Sequence, residues 1–230
     1  ETRIEALGSA PIDAELARIE AIASPRDLSY RCGYLSAIAS GAPFAGSIAP
    51  DDANAQRTIV TVSQGGTLLP DRDYYLEADP KYAAVRRQYV EYLVRIFTLT
   101  RRRDPAGDAA AVLALETALA RAQLTQAEAR GDERTARRFA LEALVREMPG
   151  FDWIEWARAQ GIDREAHVVL AQPSFFRQFA ALVPGTPLAA WRAWLAARHI
   201  TSAAPFLSSP FASARFDFFG RTLSGQSEPI

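Results

Sequence analysis

At 230 residues, with 49 % hydrophobic, 23 % charged and 10 % aromatic side chains, the chain falls outside the disordered and collagenous classes. It is long enough to bury roughly 70–75 % of its unfolded surface without disulfide or metal staples. Lys and Arg number 26 against 27 Asp and Glu, a net charge of −1, so no global field recruits nucleic acid or acidic lipid. The single cysteine, Cys32, rules out an intrachain disulfide, and its neighbours Tyr30, Tyr34 and Leu35 make it a buried small hydrophobe rather than a reactive thiol. No stretch reaches the ~18 apolar residues of a membrane span, and no targeting pattern opens the chain. A start at Glu1 without Met is what a mature or trimmed product would show.

Helical periodicity runs through almost the whole chain, predicting helices over 12–23, 25–40, 80–100, 108–130, 134–147, 152–160, 173–183, 187–199 and 209–219. Five starts share one device, a capping side chain followed by Pro: Ser24-Pro25, Asp79-Pro80, Asp104-Pro105, Thr186-Pro187 and Ser209-Pro210. Gly41 and Gly161 stand where helices should stop. The clearest stripe is Val85, Tyr89, Tyr92, Leu93, Ile96 and Phe97, with Arg86, Arg87, Glu91 and Arg95 largely opposite. The run Arg101–Gly107, carrying an arginine triplet, reads as a turn with a solvated helix end. Only one region breaks the pattern: Phe44–Ile48 and Thr58–Val62 flank the turn-rich Pro50-Asp51-Asp52-Ala53-Asn54 and predict a small β-hairpin. His167–Leu170 is a second short extended piece, and the remainder leaves no material for a real sheet. The expected class is all-α, about nine helices with a small β-hairpin near 44–62.

Known chemistries find little footing. His167 and His199 are the two imidazoles; neither lies in a nucleophile motif, and a His-Glu-x-x-His zinc pattern cannot be built from them. Glu128 and Asp132 have a spacing found in zinc peptidases, but Gly131 between them marks a helix end. Gly65-Gly66 lacks the remaining glycines and the Lys-Ser/Thr of a phosphate loop. Asp71 and Asp73 flank Arg72 and are expected to pair with it. Trp153, Trp156, Trp191 and Trp194 occur at helical spacing among apolar neighbours, which predicts core.

One motif is specific. Gln64-Gly65-Gly66-Thr67-Leu68-Leu69-Pro70-Asp71-Arg72-Asp73-Tyr74-Tyr75-Leu76 resembles the signature Gln-Gly-Gly-Leu-Gly-Leu-Pro-Asp-Arg-Asp-Tyr-Tyr-Leu in the amino-terminal half of neprilysin-like zinc metallopeptidases, the group that includes endothelin-converting enzymes and bacterial PepO-type endopeptidases. Asp51-Asp52-x-Asn54, Leu115-Glu116-x-x-Leu119-Ala120, Pro149-Gly150-Phe151-Asp152-Trp153, Gln172-Pro173 and Phe216–Gln226 follow the family's order, so the resemblance spans about residues 5–226. The chain departs from it at Thr67 and Leu68, which stand for Leu-Gly, in a weak Ala129–Asp132 echo of Arg-Arg-Asp, and in the lack of Tyr-Asn between Arg134 and Leu141.

The resemblance implies that residues 1–230 form a helical lid-like domain, lining the cavity of a zinc metalloendopeptidase that cuts small peptides, outside the cytoplasm or on its outer face. Zinc belongs to the complete parent and none is expected here, because the family's metal and substrate-strand motifs are absent from this sequence; no catalytic residue is assigned. The expected partners are a carboxyl-terminal zinc-bearing half, in the same or a separate chain, and the peptide substrate. The loop Gly65–Tyr75 is the expected substrate-facing segment, with Arg72 able to hold a carboxylate in its fork. The alternatives are a stand-alone helical binding or scaffold module and one half of a split peptidase.

Overall fold

The computed structural model describes residues 2–51, 54–131, 136–164 and 166–228, side chains at 55, 130 and 131 excepted. Helices α1 (Thr2–Leu7), α2 (Ala10–Glu20) and α3 (Pro25–Ala37) lead into strands β1 (Ala45–Asp51) and β2 (Asn54–Ser63). After α4 (Asp73–Leu76) come the long helices α5 (Pro80–Leu99) and α6 (Pro105–Ala122), then α7 (Gln126–Gly131), β3 (Arg137–Ala140), α8 (Leu141–Glu147), α9 (Trp153–Ala159) and β4 (His167–Leu170). Helices α10 (Pro173–Gly185) and α11 (Leu188–Ala203), a 3-10 turn at Ala204–Phe206, α12 (Ser209–Arg215) and a π-helical segment Phe216–Leu223 complete the order.

Capping chemistry explains several of these starts. Ser24, Asp79 and Asp104 each accept from a backbone N–H in the first turn, at Asp27, Lys81 and Gly107, while the following Pro gives up no intrahelical bond. Two expected caps fail: α11 starts after Pro187 without help from Thr186, and α12 is preceded by Ser208, so Ser209 lies inside it and donates to Glu5 instead. Gly161 takes the left-handed conformation after α9, and after α3 both Gly41 and, two residues earlier, Ala39 do so. Arg102 is not merely solvated; it pairs with Asp108 and Glu20 and lies over Phe97.

The protein is mainly helical, but the expected lone hairpin is part of a four-stranded mixed sheet of order β1-β2-β4-β3. The hairpin itself forms, Ala45 opposite Ser63 through Pro50 opposite Thr58; positions 52 and 53 of its predicted turn lie outside the described residues. β4 pairs parallel to β2, Val60–Val62 against Val168–Leu170, and antiparallel to β3. Of the helix expected over 134–147, positions 134 and 135 lie outside the described residues, and Arg137–Ala140 extends along β4 before α8 begins. Likewise the helix expected over 108–130 is broken at Gln123, and α1 and α4 are additional short helices. The helix expected over 209–219 changes to π-helical hydrogen bonding at Phe216.

Phe44, just before β1, joins sheet to helices. Its ring lies 4.8 Å from that of Phe179 and 5.1 Å from that of Phe176, both edge-on, the arrangement favoured by ring quadrupoles. All four tryptophans are buried in this core, as is Cys32. Helices α3 and α9 cross so closely at Gly33 that a Cβ there would lie 2.2 Å from the Trp156 carbonyl oxygen.

Candidate functional site

The segment between β2 and α4 carries the signature, and the fold grips it mainly by its backbone. Gln64 exchanges two 2.9 Å hydrogen bonds with Leu124, its amide donating to the carbonyl and its carbonyl accepting from the N–H, while its own N–H donates to Gln172. Gln123 donates to the Gly65 carbonyl at 2.9 Å, the Trp194 indole to the Gly66 carbonyl at 2.8 Å, and Arg198 to the Thr67 carbonyl at 3.4 Å. Gly66 has φ +92, and a Cβ there would press on Leu119 and Trp194 at 3.1 and 3.3 Å; this is a position that glycine alone fills without strain.

Beneath the loop lies a buried polar cluster. The Leu69 N–H donates to the Tyr75 hydroxyl, which donates to Glu116 Oε2 at 2.6 Å; Tyr89 donates to the same oxygen at 2.7 Å. Glu116 Oε1 has no partner, and Arg198 forms no direct ion pair with it, donating instead to the carbonyls of Gly41, Ala42 and Thr67. Burial pushes the Glu116 carboxyl up to about 7, against the opposing pull of the two tyrosine hydroxyls and the Arg198 cation. Desolvation lowers the Arg198 pKa, the Glu116 charge counteracting it. Burial likewise raises Tyr75 and Tyr89 well above the phenol value. Sequence reading places Glu116 in the Leu115-Glu116-x-x-Leu119-Ala120 match but gives neither it nor Arg198 a site role, though Glu116 interrupts the apolar face Val112, Leu115, Leu119, a charge where the pattern calls for a hydrophobe.

At the outer end of the loop, the expected pairing of Asp71 and Asp73 with Arg72 does not form. Asp71 accepts from the Asp73 N–H at 3.1 Å and from Gln126 at 3.0 Å, while the Arg72 guanidinium, half-buried, makes no hydrogen bond or ion pair with any described residue. Its charge still reaches Glu128, whose carboxyl is held low first by Thr125 and to a lesser degree by Arg72. The loop therefore presents an uncommitted guanidinium from an otherwise immobilised backbone.

The two histidines are apart in role and place. His167 lies exposed on β4. His199 is buried, with Nδ1 2.8 Å from the Ser40 hydroxyl; burial depresses its pKa, so the ring is neutral rather than the imidazolium that a helix end favours. This Ser–His pair has no third group, since His199 Nε2 is without a partner, and it lacks the orienting acid of a hydrolytic triad. Among the described residues no three His, Cys, Asp or Glu side chains converge to hold a metal, so the residues present do not fit a zinc site; Asp132 lies outside the described residues. Among the described residues no helix is long and apolar enough to cross a membrane.

The model of Peptidase family M13 matches residues 1–229. Zinc metalloprotease Zmp1 of Mycobacterium tuberculosis, in its open state, superposes with a TM-score of 0.92 at 31 % identity, covering 100 % of this chain and 36 % of that one; its inhibitor complex gives the same values. Endothelin-converting enzyme-like 1 of Mus musculus is 26 % identical over 83 % of this chain and 25 % of its own length, and Neprilysin-3 of Drosophila melanogaster 26 % over 74 % and 23 %. PepO from Lactobacillus rhamnosis, at 19 % identity and a TM-score of 0.77, shares the fold. The chain thus spans about a quarter of these curated relatives and about a third of these solved ones.

Proposed function

This chain belongs to peptidase family M13, and on that premise we propose that it is the non-catalytic, cavity-lining helical part of a zinc metalloendopeptidase acting on small peptides outside the cytoplasm. The carrying observation is the likeness to Zmp1, a zinc metalloprotease, over 100 % of this chain. A carboxyl-terminal half supplies the zinc, which when bound activates water for peptide hydrolysis. This chain's residues shape the cavity and hold the substrate in it.

Within that role, Arg72 is the substrate contact. A half-buried guanidinium without a protein partner is suited to a planar carboxylate, which it can meet with two parallel N–H donors. The clamped backbone of Gln64–Leu69 keeps the residue from being repositioned at each binding event. The test uses the complete peptidase containing this region, with one peptide offered as the free acid and as the amide. Arg72→Ala should lower kcat/KM for the free acid about tenfold or more and leave the amide within about twofold, since a hydrogen bond to a charged group contributes roughly 1.5–3 kcal/mol. Equal values for wild type and variant on both peptides would remove Arg72 from the site.

A further inference from the structure

Four arginines, Arg18 of α2, Arg26 and Arg31 of α3, and Arg158 of α9, line one concave site of ≈ 340 Å³ that includes no residue of the signature loop. Two buried carboxylates hold them. Glu155 accepts from Arg158 Nε at 3.0 Å and Nη2 at 2.6 Å, and from Arg26; Glu15 accepts from Arg31 at 2.7 Å and Arg18 at 3.1 Å. Both oxygens of both acids are thereby engaged. The third acid, Asp27, accepts from the Ala23 N–H at 3.1 Å while its own N–H donates to the Ser24 hydroxyl, and its carboxyl is held low chiefly by Ser24. These three carboxylates face four guanidinia, and Asp152 also lies within electrostatic reach of Arg158.

Arg31 is the guanidinium with N–H groups to spare. Its side chain is only 14 % exposed, it donates one N–H to Glu15, and its other guanidinium nitrogens are neither bonded nor sealed from solvent. One face of the group is covered by the Tyr34 ring, 5.2 Å away, while Tyr30 contacts Arg158 at 4.9 Å. A largely buried cation whose unspent N–H groups open onto this cavity, with three further guanidinia around it, is stabilised by an anion seated among them. We propose that this cavity binds a phosphate group. Donors come from three helices and from different directions, which suits a tetrahedral oxyanion, whereas one arginine fork suffices for a planar carboxylate. The volume lies at the lower end of the ~300–1,000 Å³ of small-ligand sites, so the group fits either as the free ion or carried on a small molecule. The site is independent of the peptidase reading.

The test is isothermal titration of the protein at constant ionic strength with inorganic phosphate, phenyl phosphate and acetate. Saturable binding of either phosphate, at least tenfold tighter than acetate, is expected; phenyl phosphate the tighter of the two assigns a phosphorylated small molecule, and the bare ion equal or tighter assigns free phosphate. Arg31→Gln should weaken binding at least tenfold. Because that change removes the shorter of the two ion pairs of buried Glu15 and can cost the fold, the double variant Arg18→Gln/Arg26→Gln, at two side chains 56 % and 70 % exposed, serves as the second arm, with at least a fivefold loss expected. Acetate binding as tightly as phosphate, no saturable heat, or affinity unchanged in a folded variant would overturn the proposal.

Discussion

Replacing Glu116 by Gln tests the buried cluster beneath the signature loop. The amide keeps an oxygen to accept from Tyr75 and Tyr89 but never ionises. In the wild type burial raises the folded-state pKa from the ordinary carboxylate value of 4.5 to about 7, so between those values the unfolded chain releases a proton that the folded chain retains. Stability therefore falls as pH rises through this window and the loss is complete above it. At 1.36 kcal/mol per unit the full effect is about 3 kcal/mol. Glu116→Gln should match the wild type within about 1 kcal/mol at pH 5 and exceed it by about 3 kcal/mol at pH 8. With a urea m-value of roughly 3 kcal/mol/M, that is a midpoint shift of about 1 M, read by tryptophan fluorescence from the four buried indoles. A difference between the two proteins that is the same at pH 5 and pH 8 would refute the argument, because a fixed offset reports packing and not a proton.

Gly33→Ala must separate α3 from α9, since the added Cβ meets a backbone carbonyl at 2.2 Å; a loss of about 3 kcal/mol is expected from urea unfolding, as for an overpacked core, and a loss below about 0.5 kcal/mol would show that the helices can part freely. Cys32 is fully buried and its thiol is pushed up to about 12 by desolvation. At pH 8 it should resist an aromatic disulfide reagent in the native protein and react stoichiometrically in denaturant; rapid native labelling would contradict the packing of α3.

The helical stretches were legible where local chemistry decides, as at Ser24, Asp79 and Asp104, whose side chains close their own first turns. The failures lie where distant partners decide. Arg137-Arg138-Phe139-Ala140 has no alternation to mark it, and it becomes a strand because β4 offers a ladder and Arg138 reaches Asp51 with two hydrogen bonds at 2.6 and 2.8 Å. The parallel pairing of Val60–Val62 with Val168–Leu170 joins segments more than a hundred residues apart, and nothing within either segment announces the other. At the site, the motif located the loop and Arg72. The partners that immobilise it, Gln123, Trp194 and Arg198, come from α11 and the end of α6; the last of these, a charge in a helix of Trp and Ala, could have been noticed as out of place.

The way the loop is held also bears on how its sequence can drift. The contacts from Gln123, Trp194 and Arg198 end on the carbonyl oxygens of residues 65, 66 and 67, atoms every residue type offers alike. Such a grip depends little on side-chain identity except where Cβ itself would collide, as at Gly66, or where a side chain adds its own contact, as the Thr67 hydroxyl does by accepting from Gln123 at 3.4 Å. Thr67 and Leu68 can therefore occupy places that relatives fill with Leu and Gly without loosening the segment, whereas Gly66 has no comparable freedom. Divergence in this motif should accumulate where main chain carries most of the contact, and a library randomised across residues 64–69 would recover a wider choice at 67, and at 68 among residues that still pack on the core, than at 66, where glycine is fixed.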